Sequence, residues 1–298
     1  MENPKNILIF GANSDIGSYL CPQLIADGWI IDSITTRARR NNDKHNVRLF
    51  LPSDYRKLVA NNMVAASMVI SLMPIWKLPD YRDILEAIGA RKLIAISSTS
   101  ILSKANSTNT KEQLIAAQLH RGEQWVNQNF SSGKRSALIL RPTMIYGGAR
   151  NRNINRLAKL IRIFKFFPMT GEGAGLRQPV HAKDIADLCL DCASNGFGET
   201  QTYILAGGET LTYRNIIERL FIEVGLKPRI ITIPAPILRI TLNILKSMPN
   251  NEDLTPEMLK RMEENLCYDH SDAISAFGWS PRQFQPSSKS FKILHHGE

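Results

Sequence analysis

Residues 5–20 read KNILIFGANSDIGSYL, and the reading of this stretch decides the fold. KNILIFGA (5–12) is the apolar, β-branched run of a buried strand, and SDIGSYLCPQLIADG (14–28) has the spacing of a helix. Gly11 and Gly17 bracket the turn between them. A dinucleotide-binding fold needs a tight turn at that place, so that backbone N–H groups at the helix N-terminus can meet a pyrophosphate. Ser14 stands where the expected spacing has a middle glycine. It adds a Cβ near the phosphate path, and its hydroxyl can donate to phosphate and cap the helix. Gly11, Asn13, Ser14, Asp15, Ile16 and Gly17 are therefore the candidate cofactor turn. The competing reading is a plain glycine turn in an α/β protein.

Working outward, WIIDSIT (29–35), NVRLFL (46–51), ASMVISLM (66–73), KLIAISS and RSALILR (135–141) are further apolar runs, most of them separated by helical segments. Near-continuous hydrophobic strands suit a parallel sheet covered on both faces. Right-handed βαβ units and a doubly wound α/β sheet follow. Beyond about residue 142 the pattern is mixed. NRNINRLAKLIRIFKFF reads as a basic amphipathic helix, DIADLCLDCAS (184–194) as a helix and TQTYILAG as a strand. LTYRNIIERLFIEVG reads as a helix opened by Thr210 or Thr212 and closed by Gly225. The expected organisation is a dinucleotide-binding domain over 1–148, to which segments near 171–206 return. A smaller α+β substrate lobe is expected over 149–298.

The second strand bears on the cofactor. NAD sites want a carboxylate at its C-terminal end for the ribose hydroxyls, and NADP sites want a cation. This chain offers Thr35, Thr36 and Arg37, then Arg39 and Arg40, while Asp32 lies mid-strand, too early for the ribose. NADP is the expectation and NAD the alternative. Asp54, after the third strand, is placed to reach the adenine.

Composition narrows the class. The 298 residues are 43% hydrophobic and 21% charged, ordinary for a globular chain able to bury a large core. No apolar run approaches the ~20 residues of a membrane span. The start MENPKNILIF lacks the pattern of a signal peptide, so a cytoplasmic protein is expected. Cys21, Cys189, Cys192 and Cys267 are too few and scattered for a disulfide framework, and buried thiols are expected without a metal. The net charge of +10 favours anionic partners. No basic run is interleaved with aromatics, so nucleic acid is not expected.

Four later segments resemble the extended and atypical short-chain dehydrogenase/reductases, the NAD-dependent epimerase/dehydratase group. ISSTS (96–100) resembles the end of the family's fifth strand, with Thr99 at its active-site Ser/Thr. LRPTMIYG (140–147) is similar to the sixth strand end, which packs against the nicotinamide. GEGAGLRQPVHAKDIAD (171–187) resembles the segment whose arginine, here Arg177, grips a sugar-nucleotide diphosphate. YDHSDAISAFGWSPRQF (268–284) resembles the closing segment. The resemblance implies cofactor contacts at Leu72, Met73 and Pro142, and substrate contacts at Arg177 and His181. It implies an NAD(P)-dependent oxidoreductase or epimerase acting on a nucleotide- or polyprenyl-diphosphate-linked sugar, as in surface-polysaccharide assembly, and a homodimer.

One departure is plain. Counting back from Glu123 puts Leu119 at the family's lysine and Ile115 at its tyrosine, and no Tyr occurs between Tyr81 and Tyr146. In the family the tyrosine exchanges a proton with substrate, and the lysine lowers its pKa and holds the ribose. Thr99 and Tyr146 are the remaining catalytic candidates. His120 is expected at the surface. A non-catalytic NADP-binding scaffold or redox-sensing subunit is the alternative function. The apolar segment PILRITLNILK (236–246), edged by Arg239 and Lys246, reads as an ordinary lobe helix, and peripheral contact with the inner face of a membrane is the alternative.

Overall fold

A computed structural model describes residues 5–35, 47–61, 63–150, 152–234, 236–238 and 257–287. Thr36, Arg37, Arg39 and Arg40 lie outside the described residues, as does nearly all of the segment 236–246. The chain divides into two compact units, the first formed by 1–143, 182–205 and 270–279, the second by 144–181, 206–269 and 280–298.

Unit 1 is built on a seven-stranded sheet. Its strands are β1 (Asn6–Phe10), β2 (Ile30–Ile34), β3 (Val47–Phe50), β4 (Met68–Ser71), β5 (Lys92–Ile96), β6 (Ser136–Pro142) and the strand Gln201–Leu205. Every pairing is parallel, and from one edge the order runs β3-β2-β1-β4-β5-β6 and then Gln201–Leu205. The order reverses between β1 and β4, the switch point at which doubly wound sheets bind ligands. The central strands read as unbroken apolar runs because both faces are covered; Leu8, Ile9, Val69, Ile70, Leu93 and Ile94 have no solvent exposure at all.

The helices are α1 (Asp15–Ala26), α2 (Pro52–Ala60), α3 (Arg82–Ala87), α4 (Ser100–Ser103) and α5 (Thr110–Phe130), followed by Ala182–Asn195. The last packs beside α1, where Asp187 accepts from Gln23 and from Lys183. Cys189 and Cys192 are buried within it. Burial pushes the Cys192 thiol up to about 12 and the Cys21 thiol up to about 11, as for inert core thiols rather than nucleophiles. α5 opens with Asn109 capping the N–H groups of Lys111 and Glu112. Its Gly122 lies so close to the 3-10 helix Ile75–Tyr81 that a Cβ would meet Trp76 N at 2.7 Å.

Unit 2 holds the helices Arg152–Phe164 and Tyr213–Glu223, three two-stranded ribbons and a separate core around Tyr146, Ile161, Phe221 and Phe284. Thr212 caps the second helix by accepting from Asn215 N–H, as the sequence predicts, and Gly225 follows its end at φ 77°. The basic amphipathic segment is helical only to Phe164, because Phe167–Met169 pairs as a strand with Ile230–Thr232.

Candidate functional site

The turn from β1 to α1 explains which of its residues must be glycine. Gly11 has φ 81°, a left-handed conformation that favours glycine, and a Cβ there would stand 3.2 Å from Leu72 C and Met73 N. Gly17 is excluded from change by space instead: its Cβ would lie 2.2 Å from Ala12 O. Ser14 sits at φ −71°, ψ 170°, extended backbone open to any residue, so no glycine is required between the two. Its Oγ accepts the Gly17 N–H at 3.1 Å, and its own N–H donates to Gly11 O at 2.8 Å. The serine thus replaces a spacer with a cap.

Asn13 is exposed on this turn, Asp15 is half-buried in the first helical turn, and Ile16 is buried beneath it. Leu72 closes the other wall: its N–H donates to Phe10 O at 2.8 Å, running the backbone of Leu72 and Met73 past Gly11. The structure therefore brings Gly11, Ser14, Gly17, Leu72 and Met73 together at the switch point. A glycine held at positive φ and another closed to a Cβ, set at a helix N-terminus, fit a pyrophosphate turn. Asp54 lies in the first turn of α2, exposed and 3.8 Å from Lys57 Nζ. Asp32 accepts from Arg48 Nε at 2.6 Å and from the Tyr55 hydroxyl at 3.2 Å, so it is buried and occupied within the sheet.

After β5 the chain continues along β6. Ser97 N–H donates to Leu140 O, and Thr99 donates to Pro142 O through both its N–H (3.1 Å) and its Oγ1 (3.3 Å). Thr99 and Pro142 are thus adjacent, and the Thr99 hydroxyl is buried on a carbonyl with no base beside it among the described contacts. Ile115 is half-buried and Leu119 is 3% exposed, both packed in the core of unit 1. His120 is exposed.

Beneath these residues lies a charged group around Glu123, the position from which the tyrosine–lysine pair is counted and to which motif reading gives no role of its own. Glu123 of α5 is buried; its Oε1 accepts from Ser97 Oγ at 2.5 Å and from Arg141 Nε at 2.9 Å, and its Oε2 accepts from Arg141 Nη2. A signal for it was present. Glu123 falls on the stripe Ala116, Leu119, Val126, Phe130 that faces the core, and a carboxylate at a core position requires a cation partner.

The other candidates belong to unit 2. Tyr146 is a packed aromatic: it is 1% exposed, edge-on to His181 and Phe284, and its hydroxyl donates to Gln283 O and accepts from Gln285 N–H. A phenol so enclosed has no open direction for a substrate proton. His181 packs its ring against Gly147, where a Cβ would lie 2.1 Å from Nε2. Arg177 is buried over the Tyr213 ring and donates to the carbonyls of Leu176 (2.8 Å), Glu264 (2.6 Å) and Arg261. Desolvation lowers its pKa from the usual guanidinium value. This is a structural use of the side chain, set beside the diphosphate role that the resemblance implies. Arg177→Met is expected to destabilise unit 2 by about 2–3 kcal/mol, because buried carbonyls lose a charged donor, read as a drop in thermal midpoint. A variant that keeps its midpoint but loses affinity for a diphosphate sugar would instead assign Arg177 to the ligand.

No family model matches the chain. Among solved structures it is similar to MoeE5 in complex with UDP-glucose and NAD, at 17% identity and TM-score 0.65 over 94% of each chain. The UDP-N-acetylglucosamine 4-epimerase from Bacillus cereus matches at 14% identity and TM-score 0.67, over 98% of this chain and 97% of that one. The UDP-glucuronic acid 4-epimerase of the same organism, in complex with NAD, matches at 17% and 0.68, over 97% and 99%. The chain shares their fold. In sequence, 105 residues are 30% identical to the NADH dehydrogenase [ubiquinone] 1 alpha subcomplex subunit 9, mitochondrial, of Arabidopsis thaliana. That match spans 35% of this chain and 26% of the relative's length. No described helix is long and apolar enough to cross a membrane.

Proposed function

We propose that the chain binds a nicotinamide dinucleotide at the β1–α1 turn and acts in redox or epimerisation chemistry on a sugar carried by a diphosphate. The observation that carries this is the pair at the switch point, Gly11 held at positive φ and Gly17 closed to a Cβ. The solved structures above that hold NAD and UDP-sugars on the same fold support it. The arginines at 37, 39 and 40 favour NADP over NAD. Bound there, the cofactor would supply hydride transfer. The chain's own part is to seat the pyrophosphate on the turn amides, line the adjoining wall with Leu72 and Met73, and hold Thr99 against Pro142 for orientation.

Neither Ile115 nor Leu119 can move a proton, so the chemistry proceeds without the tyrosine–lysine pair. A polyprenyl-diphosphate sugar, a homodimer and a cytoplasmic place at the inner face of a membrane belong to the same reading. The test is titration with NAD⁺ and NADP⁺ by calorimetry, then incubation with a panel of UDP-sugars while product stereochemistry is followed. No heat with either dinucleotide ends the proposal.

A second reading is favoured by two observations. The sequence relative is a subunit of a larger complex by its name, and Leu119 is locked in the core where a catalytic lysine would be needed. A dinucleotide-binding scaffold or redox-sensing subunit follows. Tight dinucleotide binding, no turnover on any sugar and recovery of a stable partner by pull-down would select it.

A further inference from the structure

The helix Arg152–Phe164 is amphipathic, and its apolar stripe is already covered: Ile154, Leu157, Ala158 and Ile161 are buried in the core of unit 2. Other apolar side chains remain outside at its C-terminal end. Ile163 is 58% exposed and Phe164 is 47% exposed. The chain then bends at Lys165, a non-glycine residue at φ 58°, and lays Phe166 against Phe164 with ring centroids 6.1 Å apart. The next residues pair in parallel with Ile230–Thr232, Phe167 opposite Ile230 and Pro168 opposite Ile231. Phe167 is buried, so strand alternation puts Phe166 and Pro168 on the outer face beside exposed Ile231. Phe167 N–H donates to Arg229 O at 2.9 Å, which sets exposed Arg229 next to Phe166. Phe164, Phe166, Pro168 and Ile231 thus form an apolar patch, with exposed Ile163 next to Phe164 on the helix.

Along the two stretches of sequence that form the patch the charges have a single sign. No Asp or Glu occurs from Arg150 to Gly171 or from Val224 to Ser247, and the first stretch carries six Lys or Arg. Lys159, Lys165, Lys227 and Arg229 are exposed. Glu172 and Glu223 border these stretches, and Glu263 Oε1 accepts from Gly173 N–H. Isoleucine and phenylalanine alone would suit any apolar partner. Exposed cations interspersed with these apolar side chains suit a partner that is negative on its surface and apolar just below, which describes an anionic bilayer.

We propose that this end of unit 2 rests on anionic lipid. Ile163, Phe164 and Phe166 enter the headgroup boundary, and Lys159, Lys165, Lys227 and Arg229 meet the phosphates. The inference deepens the membrane reading above, but on residues other than 236–246 and without reliance on a bound dinucleotide.

The test is flotation of the full chain with vesicles of phosphatidylcholine alone and of phosphatidylcholine mixed with phosphatidylglycerol. Binding to the mixture is expected to exceed binding to phosphatidylcholine by about tenfold or more, and to fall with added salt. The double variant Ile163→Ser, Phe164→Ser should lose it with only a small fall in thermal midpoint, since both side chains are largely exposed and only Phe164 packs on a neighbour, Phe166. Lys165→Glu with Lys227→Glu should lose it through charge alone. Failure of the native chain to float with the mixture, equal binding to both vesicles, or native-like binding by both double variants would overturn the proposal. Dinucleotide titration on the same samples separates that failure from failure of the cofactor site.

Discussion

Gly17→Ala is expected to weaken dinucleotide binding by about 100-fold or more, equivalent to ~2.7 kcal/mol. The added methyl would lie 2.2 Å from Ala12 O, far inside contact distance, and the atom it meets is backbone. Only a shift of the turn or of the first turn of α1 can relieve it. Either shift moves the amides that would face the pyrophosphate, and Ser14 Oγ loses its bond to the Gly17 N–H. Gly11→Ala acts by another route. At φ 81° an alanine bears a strain of about 1–2 kcal/mol, and its neighbours at 3.2 Å are the backbone of Leu72 and Met73. Ser14→Gly is the control: that backbone is ordinary, and exchanging the cap for glycine costs only a few tenths of a kcal/mol. Calorimetry with NAD⁺ and NADP⁺, alongside circular dichroism and thermal midpoints, reads all three. If the alanine at 17 bound both dinucleotides like the native chain, the turn would not be the cofactor site.

The fold was legible where burial is two-sided. A strand covered on both faces writes itself as a continuous apolar run, and β1, β4, β5 and β6 were read that way within a residue or two of their ends. The strand Gln201–Leu205 was legible as a strand but not as the outer strand of the same sheet. It pairs with β6 across some sixty residues of chain, and no local pattern encodes a partner so distant. The glycines of the first turn were legible as a motif. So was the capping role of Ser14, whose Oγ accepts the Gly17 N–H; that no glycine is required at position 14 was not, because that depends on a backbone angle and not on spacing.

Site residues divide along the same line. Motif matching names a residue type in order, whereas function depends on what each side chain faces. Arg177 and Tyr146 both stand in familiar stretches, yet the one is bonded to carbonyls and the other to Gln283 and Gln285. The charged group around Glu123 shows the opposite case. Motif matching used Glu123 only as a mark to count from, although a carboxylate on the buried stripe of α5 implied a cation somewhere opposite, and Arg141 on β6 supplies it.

Glu123→Ala is expected to destabilise the chain by about 3–5 kcal/mol, because it leaves a guanidinium without its counter-charge in a largely buried place. The Glu123 side chain is 6% exposed and that of Arg141 is 23% exposed, so water screens the pair poorly. The arrangement is bidentate, Nε to Oε1 and Nη2 to Oε2, with Ser97 Oγ as a third donor. Removing the carboxylate therefore strands a charge and a hydroxyl together. For a chain of this size the loss corresponds to a fall in thermal midpoint on the order of 10 °C. Glu123→Gln keeps the shape and some hydrogen bonds and should lose less. The informative variant is the pair Glu123→Leu, Arg141→Met. Apolar replacement of both partners removes the stranded charge, and its stability should return most of the way to the native value. The pair also ties α5 to the ends of β5 and β6, next to the Thr99–Pro142 contact, so a stable double variant reveals its second role. If dinucleotide affinity or turnover falls while the midpoint holds, the network positions that end of the sheet. If Glu123→Ala unfolds within 1 kcal/mol of the native chain, the charges contribute little beyond filling space.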